Sequence, residues 1–141
     1  MEPSYKILDQ SEDVLFMAKG STLAELFEQC GLAFQQTQAE RELIQAREKV
    51  KILGEDRNVE NLLLDFMDEL FFFRDYKQMI FRNFQISIEK REGKYQLSCI
   101  AAGEKLDPLR HEKQKDVKGI EAFKVQSAEE GWKAQMLLKR T

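Results

Sequence analysis

Among its 141 residues the sequence has one histidine, His111, and no glycine-rich loop of the GxGxxG or Walker type. Catalytic triads, HExxH metal sites and clustered imidazole ligands need residues that this chain lacks or has only once. The missing phosphate loops argue against nucleotide binding by a known loop. The sequence therefore argues against a complete, stand-alone active site.

Cysteine is also scarce, and Cys30 and Cys99 are far apart with no CxxC pairing. Their spacing indicates neither a zinc site nor a disulfide framework, which favours a reducing compartment. The first residues lack a basic segment followed by an apolar one, and no apolar run approaches membrane-spanning length. We therefore expect a soluble, cytoplasmic protein that does not contact a membrane.

The composition is 43% hydrophobic and 33% charged, with only two prolines and seven glycines, which is typical of a well-ordered globular chain. A chain of this length can bury a core of its own, so we expect one domain over residues 1–141. The net charge of -3 offers no global attraction to nucleic acid. An RNA contact would need a local basic patch or a partner protein.

Apolar residues at spacings of three and four predict two helices. The first is expected over residues 22–37, with a capping box at its start. The second is expected to begin near Asn58, and its apolar stripe is wide enough to be covered on more than one side. Its three consecutive phenylalanines, residues 71–73, are expected to lie mostly in the core, and an exposed ring there would mark a partner surface.

The remaining segments alternate with a period of two, as strands do. Residues 84–88 and 95–99 predict a hairpin with its turn at residues 92–93. A strand at 132–138 is expected to pair with 117–125, and a long strand at 43–53 is expected to point Val50 and Ile52 inward. We predict an α+β fold: a single domain with an antiparallel-rich mixed sheet and two helices packed on it.

Three carboxylates, Asp9, Glu12 and Asp13, lie together between two strand-like runs. Hard cations such as calcium and magnesium prefer several oxygen ligands, and this turn has the residues to begin such a site. The alternative is an acidic turn, because aspartate side chains readily hydrogen-bond the local backbone. The second interpretation describes the more common use of such residues.

A second concentration of polar residues lies in the segment 106–118, between two predicted strands. Arg110 has the geometry to fork onto a phosphate or carboxylate, and His111 has the chemistry to position or transfer a proton. The other interpretation is an ordinary solvated loop, because Asp107, Glu112 and Asp116 dilute its positive charge. The residues alone leave both interpretations open.

Four ordered segments, spanning nearly the whole chain, resemble motifs of the archease family. Residues 5–14 resemble Y-x-x-x-D/E-H-T-A-D-V, and the glycine and helix that follow match in order. Residues 62–70 resemble the helix LLxDWLNEL. Residues 107–112 resemble the DPxRHE loop, and residues 116–120 resemble the following EVKAV strand.

The resemblance implies a protein cofactor, not itself an enzyme, that activates an RtcB-type tRNA-splicing ligase. Such a protein promotes guanylylation of the ligase and its multiple turnover, uses a divalent cation such as calcium, magnesium or manganese, and meets tRNA only through the ligase. It further implies that Asp13 is a metal ligand, that Arg110 and His111 contact the ligase or its guanylate, and that Lys118 contacts phosphate or holds the acidic site.

Three positions depart from the family pattern: Gln10 replaces a histidine, Phe123 replaces another, and Lys139 stands where an acidic metal ligand is expected. An ammonium group beside Asp13 would neutralise the carboxylate without coordinating anything. We therefore expect an ion pair between Asp13 and Lys139 in place of a cation; rescue by Glu12 is disfavoured, because neighbouring strand residues point to opposite faces. The alternative function is an archease-fold binding or chaperone-like protein that has lost metal-dependent activation.

Overall fold

The computed structural model describes residues 1–112 and 115–140, which form seven strands and two long helices. The elements in chain order are β1 (Ser4–Asp9), β2 (Val14–Gly20), α1 (Leu23–Gln36), β3 (Glu48–Asp56), α2 (Val59–Tyr76), β4 (Met79–Arg91), β5 (Lys94–Lys105), β6 (Gly119–Ala128) and β7 (Gly131–Lys139). A short 3-10 turn, Arg41–Leu43, precedes β3.

Both helices begin at the predicted residues, because their N-terminal caps are local. Thr22 Oγ1 accepts the backbone N–H of Glu25 at 3.1 Å, and Glu25 Oε1 accepts the N–H of Ser21 at 2.7 Å. Asn58 Oδ1 accepts the N–H of Asn61 at 3.0 Å. Each bond satisfies a backbone donor that the first helical turn leaves without a partner.

The strands form two antiparallel sheets, one with the order β1-β2-β7-β6 and the other with the order β3-β5-β4. The predicted α+β class and the antiparallel pairing are confirmed, with the strands divided between two sheets where we expected one. The predicted turn joins β4 to β5, with positive φ angles of 53° at Glu92 and 77° at Gly93. The strand expected at 43–53 begins later, at Glu48, because residues 41–43 form the 3-10 turn.

The core lies between the sheets and the helices. Helix α1 packs on β2 and β4, and α2 packs on β3, β4 and β6, so each helix contacts both sheets. The ring of Phe66 lies 5.8 Å from Phe27 and 5.9 Å from Phe84, joining both helices to β4. Ile52 is buried and Val50 packs against the core, as predicted.

The three consecutive phenylalanines, residues 71–73, point in different directions from the helix and differ in burial. Phe71 is buried against Phe34, with ring centroids 4.4 Å apart, and Phe73 packs on the edge of Phe81. Phe72 is exposed and contacts Tyr76, one turn further along the helix. None of the helices in the described part of the chain is long and apolar enough to cross a membrane.

Candidate functional site

Two segments more than a hundred residues apart in sequence meet at one end of the four-stranded sheet. Val14, the first residue of β2, pairs with Leu138 in β7. Just beyond this pair, Asp13 Oδ1 accepts the backbone N–H of Arg140 at 3.0 Å. Arg140 in turn donates from Nη1 to the carbonyl of Glu12 at 3.2 Å. The expected meeting of these two segments is therefore present.

The predicted ion pair between Asp13 and Lys139 is wrong. Lys139 Nζ lies 3.9 Å from Glu121 Oε2, on the other neighbouring strand. The ladder between β2 and β7 ends at Val14, and residues 11–13 bend away from the strand. Asp13 therefore caps the end of β7, while Glu121, the extra residue of a bulge in β6, lies within reach of the lysine.

The three carboxylates of the opening turn do not converge. Asp9 Oδ1 accepts the backbone N–H of Ser11 at 3.0 Å, and this hydrogen bond lowers the pKa of the exposed Asp9 carboxyl. Within residues 1–112 and 115–140 no group of three or more His, Cys, Asp or Glu side chains is arranged to hold a metal. A single carboxylate whose Oδ1 accepts an N–H does not fit a hard divalent cation, which prefers several oxygen ligands.

Lys118 lies at the same end of the sheet. Its backbone N–H donates to the carbonyl of Lys139 at 2.6 Å, one residue before β6 begins. Its Nζ lies 2.8 Å from Asp116 Oδ2, and both side chains are about half exposed. We refer to Asp13, Lys118, Lys139 and Arg140 as the chain-end cluster.

A buried glutamate organises the loop that follows β5. Glu104 Oε2 accepts the backbone N–H of Gln45 at 2.7 Å and lies 2.9 Å from His111 Nε2 and 2.5 Å from Arg110 Nη2. Its other oxygen, Oε1, lies 3.5 Å from Arg47 Nε. Burial alone would raise the pKa of Glu104, but the hydrogen bonds from Gln45, His111 and Arg110 outweigh it, and the pKa is lowered.

His111 is fully enclosed, with none of its side chain exposed to solvent. Its Nδ1 accepts the backbone N–H of Asp107 at 2.8 Å, which places the proton of the neutral ring on Nε2, facing Glu104. The carbonyl of Leu43 lies 3.2 Å from the same nitrogen. No hydroxyl or thiol of the described residues is hydrogen-bonded to this ring, so the ring has no nucleophile to activate.

The loop turns so that its histidine points inward and its neighbours point outward. The carbonyl of Asp107 accepts the N–H groups of Arg110 and His111, at 3.0 and 2.7 Å. Asp107 Oδ1 accepts the N–H of Leu109 at 3.0 Å. Leu109 is 96% exposed and the Arg110 side chain 37% exposed. We refer to Glu104, Asp107, Arg110 and His111 as the Glu104 cluster.

The two clusters are separate in the structure. No hydrogen bond or ion pair among the described residues joins Asp13 to Arg110 or His111. The segment between the clusters is anchored by Arg74, whose Nη1 donates to the Val117 carbonyl at 2.6 Å and whose guanidinium lies over the Phe71 ring. Residues 113 and 114 of this segment, and Thr141 beyond the chain-end cluster, lie outside the described residues.

The motif residues did not indicate three of the residues that build these clusters or anchor the segment between them: Glu104, Arg74 and Arg140. Glu104 follows a run of small residues, and its position shortly before the Arg-His pair is the only signal of its role. Arg74 lies at the end of an apolar helix stripe, where a cation is normally solvated or faces the helix carbonyls. Arg140 acts chiefly through its backbone N–H, which no side-chain pattern reveals.

Comparisons with known proteins agree on the class of this molecule. A model of the Archease protein family matches residues 5–138. The archease of Pyrococcus furiosus is 33% identical over 132 residues, covering 92% of this chain and 93% of that protein. The archease of Methanosarcina mazei is 28% identical over 137 residues, covering 95% and 94%.

The solution structure of Methanobacterium thermoautotrophicum protein 1598 superposes with a TM-score of 0.83 at 25% identity, covering 96% of this chain and 97% of that chain. The molecule is thus a small α+β protein with two antiparallel sheets and two packed helices. It belongs to the Archease protein family.

Proposed function

We propose that this protein is an archease-type protein cofactor that activates an RtcB-type tRNA-splicing ligase in the cytoplasm. It promotes guanylylation of the ligase and its repeated turnover, and the guanylyl chemistry belongs to the ligase. The observation that carries the proposal is family membership over residues 5–138, with the Asp-Pro-x-Arg-His loop retained. The enclosed His111 without a nucleophile supports an accessory role.

Arg110 is the residue of the loop that we assign to the contact with the ligase or its guanylate. Its guanidinium is partly exposed and is held by Glu104 at Nη2 and by Asp107 near Nε, so Nη1 remains available for a phosphate or carboxylate. His111 we assign to positioning, because both of its ring nitrogens are engaged inside the protein. Lys118 is exposed, and we assign it to a phosphate contact or to holding the acidic residue beside it.

A direct test mixes the purified protein with a purified RtcB-type ligase, GTP and manganese, and follows guanylylation of the ligase. We expect guanylylation to be faster with the protein than without it. Arg110→Ala should remove most of the acceleration. Arg91→Ala is the matched control, because Arg91 is an exposed arginine at the opposite end of the β4–β5 hairpin.

A second candidate function is a binding or chaperone-like protein of the same fold that has lost metal-dependent activation. The geometry of the chain-end cluster favours it, because Asp13 Oδ1 is already occupied by the backbone N–H of Arg140. Calorimetry with calcium, magnesium and manganese should then show no binding. A ligase complex without faster guanylylation would select this candidate, and the absence of any complex would contradict both.

A further inference from the structure

The outward face of the four-stranded sheet has an unusual charge. Residues that face each other across an antiparallel ladder lie on the same side of the sheet, so the register defines this face. The inward side carries buried residues such as Val14, Phe16 and Met136. The outward positions are Ser4, Lys6, Asp9, Leu15, Met17, Lys19, Gly119, Ala122, Lys124, Gln126, Lys133, Gln135, Leu137 and Lys139.

Five of these outward positions are lysine and one is acidic, Asp9 at the end of β1, although acidic residues outnumber basic ones in the chain by 25 to 22. The carboxylates nearest the face lie at its ends. Glu121 is near Lys139, and Glu130, in the β6–β7 turn, faces the amino terminus at 3.9 Å. The centre of the face therefore keeps an uncompensated positive charge.

The side chains of four of the lysines, at positions 6, 19, 124 and 133, form no ion pair or hydrogen bond within the described part of the chain. They are exposed and lie one on each strand, so they form a band across the whole sheet. Lys19 lies directly opposite Lys133 in the ladder. Like charges in this arrangement destabilise a sheet. Electrostatic repulsion that lowers the stability of a sheet, with no compensating contact, is typical of a functional surface.

We propose that this band of lysines binds the phosphate backbone of RNA without reading its sequence. Lysine is a compact point charge that suits phosphate, and an array of such charges attracts a polyanion along its length. The face has no outward aromatic ring on which bases would stack, so single-strand recognition through the bases is not expected. The proposal goes beyond the function proposed above, in which RNA is met only through the ligase.

The alternative ligand of this face is an acidic protein. The composition of the face disfavours such a partner. Protein–protein interfaces are enriched in tyrosine, tryptophan and arginine and depleted in lysine. The outward positions contain no aromatic residue and no arginine. The two glutamines, Gln126 and Gln135, add amide groups that suit phosphate and sugar oxygens.

The test is fluorescence anisotropy with a fluorescein-labelled oligouridylate of about 12 nucleotides, a length within the usual site size of single-strand binders. Binding is measured from low to physiological KCl. Four phosphate contacts predict that the logarithm of the association constant falls with the logarithm of salt at a slope of about -2.8. Replacing Lys19 and Lys133 by alanine should halve that slope to about -1.4 and weaken binding about tenfold or more at low salt.

The matched control is Lys49→Ala with Lys51→Ala, which removes the same charge from exposed positions of β3 in the other sheet. Binding by this control should stay within about twofold of the unmodified protein, and Lys19→Arg with Lys133→Arg should retain it. Circular dichroism confirms that each variant is folded.

Three results would overturn the proposal. The first is the absence of binding at the lowest salt. The second is an equal loss in the β3 control, which would indicate net charge alone. The third is equally tight binding of polyglutamate or of anionic lipid vesicles, which would indicate an acidic protein or a membrane as the occupant.

Discussion

At the scale of single residues, His111 is enclosed, and no hydroxyl or thiol of the described residues is hydrogen-bonded to its ring. His111 links β5 to its loop, and Glu104 accepts hydrogen bonds from the histidine, from Arg110 and from a backbone N–H. Buried groups of this kind are costly when they lose a partner. The Arg-His pair of the motif is therefore held in place by Glu104, a residue that the motif does not contain.

Glu104→Gln should destabilise the protein by about 2 kcal/mol, because an uncharged amide leaves charged and neutral donors poorly paired in a buried site. Urea unfolding measures the change. Glu48→Gln, at an exposed glutamate of β3 that lines a surface groove together with Glu104, should alter the free energy of unfolding by less than about 0.5 kcal/mol. Equal effects of the two substitutions would contradict the role assigned to Glu104.

The two cysteines should be inert while the protein is folded. Burial raises the pKa of both Cys30 and Cys99 to about 12, so almost none of either thiol is ionised near neutral pH. Ellman's reagent should detect both thiols in guanidinium chloride and neither under native conditions. Rapid labelling of the folded protein would show that one of the thiols is accessible and ionised.

The sequence predicted the positions of Asp13, Arg110 and Lys118 in the fold better than it predicted their contacts. The meeting of the two chain segments was expected, and the structure confirms it. The partner of Asp13 was not predictable, because it is a backbone N–H exposed by a bend of three residues. A contact of that kind depends on backbone geometry, and no pattern of side chains indicates it.

At the scale of elements, Gly103 of β5 lies tightly against the backbone of β4. A Cβ atom there would lie 1.9 Å from the carbonyl oxygen of Ile80, where β4 carries a bulge. Gly103→Ala should therefore cost about 3 kcal/mol, since the backbone itself must move. Gly119→Ala is the control: a Cβ there meets nothing within 4 Å, and its thermal midpoint should stay close to that of the unmodified protein.

Lys19→Glu should stabilise the four-stranded sheet. The change turns the like-charged pair with Lys133 into an opposite-charged pair on the same face. The expected gain in the free energy of unfolding is about 0.5 kcal/mol at low salt, and it should shrink as salt is added. Thermal unfolding at two KCl concentrations measures it, and a loss of stability would mean that the lysines are not in contact across the ladder.

The first helix and the start of the second were predicted to within a residue or two, because capping and periodicity are local in sequence. The strands were found individually, and the hairpin at residues 92–93 was expected from its turn. Their division into two sheets was not expected. Alternation shows which side chains of a strand point inward, but it does not show which distant strand lies beside it.

At the scale of the whole molecule, acid should lower the free energy of unfolding through protonation of Glu104. The pKa of Glu104 is lowered in the folded state, so its contribution to stability is present above its ordinary pKa of 4.5 and is lost as the pH falls through the folded value. Burial raises the pKa values of Glu28 and Asp68, and their contributions have the opposite sign, increasing as the pH falls.

The free energy of unfolding should therefore drop below about pH 4.5 in the unmodified protein and drop less in Glu104→Gln. Urea titrations across acidic pH measure both profiles. Parallel profiles would show that the carboxyl of Glu104 is not the main acid-sensitive group.

The position of β7 between β2 and β6 governs how the chain assembles. Of the described strands it is made last by the ribosome, yet it occupies an interior place in the first sheet. Until it emerges, the β1–β2 hairpin has no neighbour and β6 has no partner. The four-stranded sheet can therefore be completed only after β7 has been synthesised, whereas every strand of the β3–β5–β4 sheet is available earlier.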